Sequence, residues 1–163
     1  MAESSTNLLP YYKGWEAYQE LLITAIAPLS SEQLALRAAP HLRTIGENVA
    51  HIIGARTGWF HMYMGEGEAE IIAPLDQWDM PGAPARSAAE LVSALKTTWQ
   101  MLQDALARWT TADLDYVFER MPSGEAERHT RQWVIWHVIE HDLHHGGEVS
   151  LTLGMHGLMA PDL

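Results

Sequence analysis

Apolar residues recur every three or four positions in four long segments of the sequence, and no stretch shows the alternation typical of a β-strand. These segments predict four helices, running roughly over Tyr11–Leu29, Thr44–Gly65, Ser87–Trp109 and Thr130–Gly154. The second and third open with the capping-box patterns Thr44-Ile-Gly-Glu47 and Ser87-Ala-Ala-Glu90, whose side chains satisfy free backbone amides. The sequence therefore predicts an all-α four-helix bundle in which residues 1–163 form a single domain.

Two long connections separate these helices. The first, residues 66–86, contains three prolines and is long enough to cross the full length of a bundle, so it predicts that helices two and three run parallel. It could also form a lid over a site, although Trp78 and the pair Ile71 and Ile72 would by default pack over the core. The second connection, residues 110–129, is polar and contains Pro122-Ser123-Gly124, and we expect it to be mobile.

The charge and composition exclude several classes of partner. The formal net charge is −11 and the ten Lys and Arg residues are scattered, which disfavours binding to nucleic acid or to a membrane surface. Because the chain has no cysteine, any metal must be held by nitrogen and oxygen ligands. The amino-terminal residues do not resemble a signal peptide and no apolar stretch is long enough to span a bilayer, so we expect a cytoplasmic protein.

The last predicted helix is unusually rich in histidine. Residues 137–145 contain four histidines, of which His137, His141 and His145 are each four positions apart and line one side of a helix. A single histidine on an apolar face is more often a satisfied core residue than a ligand. Several neighbouring imidazoles, however, are costly to bury without a partner, and neutral imidazole is a common ligand of divalent metals. The cluster therefore predicts a metal site.

Two other metal-binding patterns fit the sequence less well. His137-Val-Ile-Glu140-His141 matches the HxxEH pattern of inverted zinc proteases, with Glu140 as the general base, but those enzymes are much larger and need a further, distant acidic ligand. A ferritin-like di-iron site requires Glu-x-x-His on two helices. Every Glu of this chain lacks a His three residues later.

A further candidate ligand, His51, lies on helix two. It shares a stripe of that helix with small and polar residues that leave room for a ligand, namely Thr44, Asn48, Ala55 and Gly58. The spacing is equally compatible with a histidine that hydrogen-bonds a backbone carbonyl or a tryptophan. From the spacing alone, both interpretations stay open.

Two segments of the sequence resemble the DinB/YfiT-like superfamily of metalloenzymes. They are His51-Ile-Ile-Gly-Ala-Arg-Thr-Gly-Trp-Phe60 and Glu140-His141-Asp142-Leu143-His144-His145-Gly146-Gly147-Glu148. The resemblance covers nearly the whole chain in length and helix order, and it implies the DinB-like four-helix fold. It also implies that His51, His141 and His145 bind the metal. The family often has Arg-Gly-Gln after the last histidine, where this chain has Gly-Gly-Glu, so no basic residue follows the ligands here.

The resemblance also carries an expectation of function. Three histidines without a fourth protein ligand leave coordination positions open to water or substrate, as in catalytic zinc sites, and zinc or nickel is the expected divalent metal. Characterised members of the superfamily include S-transferases and isomerases that use a low-molecular-weight thiol, which implies transfer of such a thiol to a small electrophilic substrate. A metal-dependent hydrolase and a non-catalytic metal-binding stress-response protein are the alternatives. The resemblance further implies a homodimer.

The remaining candidate residues surround the predicted ligands. Glu148 shares their side of the helix and could be a general base or a partner that orients a ligand. Asn48, Arg56 and Trp59 are candidates for the substrate pocket, where Arg56 would hold a carboxylate unless it pairs with an internal acid. The other histidines are expected beside the site or at the surface, namely His137 and His144, or have no special placement, namely His41, His61, His129 and His156.

Overall fold

The computed structural model describes residues 6–120 and 127–161, most of which are helical. In chain order the helices are α1 (Lys13–Ile26), α2 (Ser31–Leu34), α3 (Ile45–Arg56), α4 (Ala69–Ile72), α5 (Ala88–Arg108) and α6 (Arg131–Met155). A π-helical segment, Thr57–Tyr63, directly follows α3, and 3₁₀ turns cover Leu9–Tyr12, Ala73–Gln77 and Thr111–Asp113. Two short strands, β1 (Val117–Arg120) and β2 (Glu127–Thr130), precede α6. The four predicted helices correspond to α1, α3 with its π-helical extension, α5 and α6, which confirms the all-α fold class.

The helix boundaries follow the capping residues. At the start of α3 the Thr44 hydroxyl accepts a hydrogen bond from the Glu47 amide at 3.0 Å, and the Glu47 carboxylate accepts one from the Thr44 amide at 2.7 Å. Ser87 and Glu90 form the same reciprocal pair at the start of α5. The first helix is shorter than predicted. It ends at Ile26, two residues before Pro28, because a proline disfavours the helical conformation of the residue that precedes it.

Contacts between α3 and α5 show that the two helices run in the same direction. Arg56 of α3 donates a hydrogen bond to the Leu95 carbonyl of α5, and Phe60, one turn further along the chain, packs against Trp109 beyond the end of α5. Both partners therefore advance together along the bundle axis. The predicted parallel arrangement is confirmed, with segment 66–86 as the long crossover.

The hydrophobic core has two parts, and the histidine-rich turns of α6 lie between them. One part is aliphatic and includes Leu22, Ile26, Ile45, Ile52, Leu91, Val149 and Leu153. The other is rich in aromatic rings and includes Trp15, Phe60, Trp99, Trp109, Val134 and Val138. Along α6 the aromatic part ends at Val138 and the aliphatic part begins at Val149. Residues 141–145 thus occupy the middle of the bundle.

The crossover is folded against the helices. Ile72 and Leu75 are buried and Trp78 is half-buried against the aliphatic part of the core, whereas Ile71 is exposed. The predicted packing over the core is therefore confirmed for Ile72 and Trp78 but wrong for Ile71. Asp79, which follows Trp78 in the crossover, lies beside α3.

The connection 110–129 differs from its prediction. Residues 117–120 pair antiparallel with residues 127–130, with Val117 opposite Thr130 and Arg120 opposite Glu127. The prediction that the chain contains no β-strand was thus wrong here. Strands of four residues are too short for an alternating pattern to be recognised in the sequence. The predicted mobile turn Pro122-Ser123-Gly124 lies outside the described residues. Phe118 of β1 packs against Tyr63, which ties the hairpin to the π-helical segment.

Among the described residues, no helix combines the length and apolar character needed to cross a bilayer.

Several large apolar side chains of α6 face outward, namely Trp133, Trp136, Leu143, Leu151 and Met155. The homodimer stays a prediction, and light scattering at micromolar concentration would test it.

Candidate metal centre

Three histidines from two helices converge in the middle of the bundle. His141 and His145 are one turn apart on α6, and His51 approaches them from α3. The ring centres lie 4.7 Å apart for His51 and His141, 4.4 Å for His51 and His145, and 4.6 Å for His141 and His145. One nitrogen from each ring lies within 4.8 Å of the other two. The structure therefore brings the three predicted ligands together.

A carboxylate from the crossover fixes the orientation of His51. The Nδ1 atom of His51 lies 2.6 Å from Oδ2 of Asp79, so a proton on Nδ1 is donated to this carboxylate and Nε2 is left as a metal donor. The close approach depends on Gly54, one turn after His51. A Cβ atom at Gly54 would lie 2.8 Å from Cβ of Asp79, too close for both residues to keep their places.

A second carboxylate orients His145. Glu148 places Oε2 at 2.8 Å from Nδ1 of His145, again leaving Nε2 free, and its Oε1 lies 3.5 Å from the exposed His144. His144, His145 and Glu148 also place donor atoms within 4.8 Å of one another. Of the two roles predicted for Glu148, this geometry favours the partner that orients a ligand.

The electrostatic environment keeps His141 and His145 neutral. Burial, together with the charges that His51 and His145 would carry when protonated, lowers the pKa of His141 to about 3. Burial also lowers the pKa of His145, although the hydrogen bond to Glu148 acts in the opposite direction. Near pH 7 these imidazoles therefore carry lone pairs rather than protons at their donor atoms.

The donor set fits a divalent metal ion. Neutral imidazoles suit zinc and nickel, and two of the three rings have the carboxylate partner that ligating histidines usually have. Nδ1 of His141 is shielded from solvent and has no hydrogen-bond partner among the described residues, which is costly unless a ligand completes the site. Ligation by His51, His141 and His145 stays a prediction, and these contacts support it.

His137 is held away from this cluster by other aromatic rings. Its ring stacks on Trp133 at 4.7 Å with an interplanar angle of 11°, and it meets the edge of Trp59 at 4.9 Å. The distance to the ring of His141 is 5.8 Å. His137 is absent from the groups of converging donors among the described residues, which disfavours the protease-like frame His137-Val-Ile-Glu140-His141.

An aromatic stripe extends from His137 toward the hairpin. His129 stacks on Trp133 at 3.8 Å, and Trp59 and Tyr63 contact His129 from the π-helical segment. His129 had no predicted placement, yet its spacing of four residues from Trp133 was the signal that could have found it. Trp59, a predicted pocket residue, is half-buried in this stripe.

Arg56 requires a correction, since the structure places its side chain inside the core. The guanidinium is fully buried and donates from Nε and Nη2 to Asp142, with Nη2 at 2.6 Å from Oδ2. Its Nη1 donates to the Leu95 carbonyl, and the indole of Trp15 donates to the same carboxylate at 2.7 Å. A substrate carboxylate has no access to this group. Arg56 pairs with an internal acid, the alternative that the sequence left open.

Asn48 is buried on the α3 surface that carries His51. Only 3% of the residue is exposed, and its Oδ1 has no hydrogen-bond partner among the described residues. A buried amide oxygen of this kind is available to a hydrogen-bond donor. Its predicted role in a substrate pocket stays a prediction.

Sequence reasoning missed Asp79. A carboxylate partner for a ligating histidine is a general expectation, but the chain has 21 acidic residues, and Asp79 lies 28 positions from His51 in a connection without helical periodicity. Only the fold of the crossover identifies it. The signal in the sequence is limited to Gly54, whose missing side chain makes room for it.

Comparison with known proteins identifies the family and the fold of this chain. The model of the DinB superfamily matches residues 15–149, a range that contains His51, His141 and His145. The chain belongs to the DinB superfamily. A crystal structure of a DinB-like protein from Bacillus cereus shares 20% sequence identity, with 98% of this chain and 99% of that chain covered and a TM-score of 0.73. At this identity the match shows that the DinB fold is shared. No curated protein matches the sequence.

Proposed function

We propose that this DinB-superfamily protein is a metalloenzyme that transfers a low-molecular-weight thiol to a small electrophilic substrate. The metal would be a divalent ion, zinc or nickel, held by His51, His141 and His145. One observation carries the proposal: three imidazoles converge, and two of them are turned by Asp79 and Glu148 so that Nε2 is free.

Three nitrogen ligands leave coordination positions for a substrate. When bound, the ion would supply Lewis acidity, which lowers the pKa of a thiol or a water molecule at such a position. The chain's own part is to hold the three rings in place. Asp79 fixes His51, Glu148 fixes His145, and the low pKa of His141 keeps that ring available as a donor.

The surroundings of the cluster favour a thiol over a water molecule as the nucleophile. Hydrolysis benefits from a general base, but the two carboxylates in contact with the cluster, Asp79 and Glu148, are both engaged with imidazoles. A thiol is more acidic than water and gives up its proton to solvent more readily. In the proposed reaction the thiol sulfur bonds to the electrophilic carbon, whose leaving group departs with the bonding electron pair.

The aromatic stripe supports an apolar or aromatic electrophile. Trp59 and Trp133 contact the ring of His137, which lies 5.8 Å from the ring of His141, and Trp133 is partly exposed. Ring faces and edges of this kind bind flat apolar groups. We therefore expect substitution of Trp133 by Ala to raise KM for an aromatic electrophile more than it lowers kcat.

A thiol panel with monochlorobimane tests the proposal. We expect the purified, metal-containing protein to accelerate formation of the fluorescent thioether with at least one low-molecular-weight thiol, and His145→Ala to abolish the acceleration. His144→Ala is the matched control, because it removes a neighbouring imidazole outside the cluster. A protein that binds metal but accelerates no thiol reaction would support the non-catalytic alternative, and turnover of esters or amides without thiol would support the hydrolase.

A further inference from the structure

A cavity of about 770 Å³ lies between the α2–α3 connection and the segment 78–87. Its volume falls within the range of small-molecule sites. Apolar side chains of Leu34, Ala50 and Trp78 form part of the wall, and Asp79 forms another part. This cavity therefore adjoins the candidate metal centre on the Nδ1 side of His51, which Asp79 contacts.

Three cationic side chains share this cavity. Arg37, Arg43 and Arg86 line it, although the whole chain has only ten Lys and Arg residues and a formal net charge of −11. The ring of His41 adds further hydrogen-bonding capacity. Arginine side chains gathered in this way in an acidic chain favour an anionic ligand.

The carboxylates of the cavity are already engaged. Glu47 accepts from the Thr44 amide and lies 3.4 Å from Arg37, while Glu90 accepts from the Ser87 amide and lies 3.5 Å from Arg86. Asp79 is paired with His51 at 2.6 Å. The acceptors that line the cavity are therefore largely satisfied by the protein itself.

Donors, in contrast, remain in excess. Arg43 is exposed and forms no ion pair with an acidic residue in the described part of the chain. Arg86 stacks over Trp78 at 4.5 Å, and its Nε has no acceptor among the described residues. An arginine offers five N–H groups, so even the paired guanidinium groups retain hydrogen-bond capacity. A ligand that complements this cavity must supply acceptors.

We infer that this cavity is a second ligand site, one that binds a small organic anion bearing carboxylate groups, and that its occupancy is coupled to the metal centre through Asp79. The free guanidinium of Arg43 pairs with a carboxylate of the ligand, and the Trp78 wall covers its apolar part. The ligand joins the segment 78–87 to α3 and thereby holds Asp79 against His51. By thermodynamic reciprocity, the anion and the metal then strengthen each other's binding by the same factor.

Succinate is a suitable probe, since it carries two carboxylates and chelates metals weakly. In metal-free protein, ¹⁵N spectra should show the Trp78 indole signal shifting with succinate and saturating at a dissociation constant of about 0.1–10 mM. Arg43→Ala should weaken binding about tenfold or more, because a charge-assisted hydrogen bond is lost. Lys96→Ala is the matched control, as it removes one exposed positive charge outside the cavity, and it should change binding less than about twofold.

The coupling is measured separately, by metal titration with and without succinate. Saturating succinate should raise metal affinity about fivefold in the unaltered protein and leave it unchanged in Asp79→Ala, which lacks the connecting carboxylate. Failure of the Trp78 signal to shift, or equal loss of binding in Arg43→Ala and Lys96→Ala, would overturn the site. A succinate-independent metal affinity would overturn the coupling. Because anion binding is measured without metal, these results are distinct from failure of the proposed thiol transfer.

Discussion

Helix α6 contributes to two adjoining polar clusters, one closed and one open. Asp142 belongs to a closed network in which Arg56 and Trp15 donate to its carboxylate and both charges are fully buried. Its neighbour in the chain, His141, belongs to an open cluster in which a shielded Nδ1 has no hydrogen-bond partner among the described residues. The same helix turn thus presents a satisfied charge pair on one side and an unpaired imidazole nitrogen on the other.

This difference distinguishes a cluster that stabilises the fold from a cluster that can bind a ligand. Charges removed from water must be neutralised within the fold, so a closed pair such as Arg56 and Asp142 is explained by the core alone. Converging imidazoles with free nitrogen atoms are not explained by the core, since they are satisfied only when a ligand arrives. We therefore propose that the open cluster is the functional one.

Breaking the closed network should have the largest effect on stability. Arg56→Ala leaves the buried Asp142 carboxylate unpaired, and we expect it to lower the free energy of unfolding by about 3–5 kcal/mol in urea denaturation. The double variant Arg56→Met and Asp142→Asn removes both charges but keeps an acceptor for Trp15, so it should recover much of this loss. A cost below about 1 kcal/mol for the single variant would show that the pair is not essential to the core.

Gly146, between the two clusters, should be the next most sensitive position. A Cβ atom there would collide with the hydroxyl of Tyr18, a partly buried phenol whose pKa is raised to about 12 by burial and by the Asp142 charge. We expect Gly146→Ala to lower the free energy of unfolding by about 1–3 kcal/mol. The neighbouring Gly147→Ala is the control, because nothing lies within 4 Å of its Cβ position and it should stabilise the helix by up to about 1 kcal/mol. Equal effects of the two substitutions would contradict the close packing.

The carboxylates around the open cluster should affect metal binding without affecting the fold. We expect Asp79→Ala and Glu148→Ala each to weaken metal affinity about 10–100-fold, since the imidazoles that they orient become free to rotate. Glu70→Ala, an exposed carboxylate of α4, is the control for the lost charge. Competition with a metal-binding dye measures all three. Unchanged affinity in both site variants would remove the argument from ligand orientation.

The smallest expected effect is the pH dependence of the stability of the metal-free protein. Because the pKa of His141 is about 3 in the folded chain and 6.5 for a solvent-exposed histidine, the unfolded state binds more protons between these values. His141 therefore lowers stability as pH falls from 6.5 toward 3. We expect the urea midpoint of the metal-free protein to fall, relative to that of His141→Gln, between pH 7 and pH 4.5. A constant difference between the two proteins would show that the imidazole is not desolvated.

The sequence predicted contacts between residues that are close together in the chain, and it did not predict contacts between residues that are far apart in the chain. Local patterns were sufficient for the helices, the capping boxes at Thr44 and Ser87, and the pair His141 and His145, because residues three or four positions apart share a helix face. The partners of Arg56 and His51 lie 86 and 28 positions away. No local pattern selects one acid among many at such distances, so these contacts required the fold.

The central claim is that His51, His141 and His145 hold the metal while His137 does not. Metal content of His145→Ala and His137→Ala, purified under identical conditions, tests it most directly. We predict loss of metal in His145→Ala, well beyond the 10–100-fold weakening expected from changes around the ligands, and near-stoichiometric metal in His137→Ala. Metal retained in His145→Ala and lost in His137→Ala would establish the protease-like frame instead. Metal retained in both would contradict the assignment of this cluster as a metal centre.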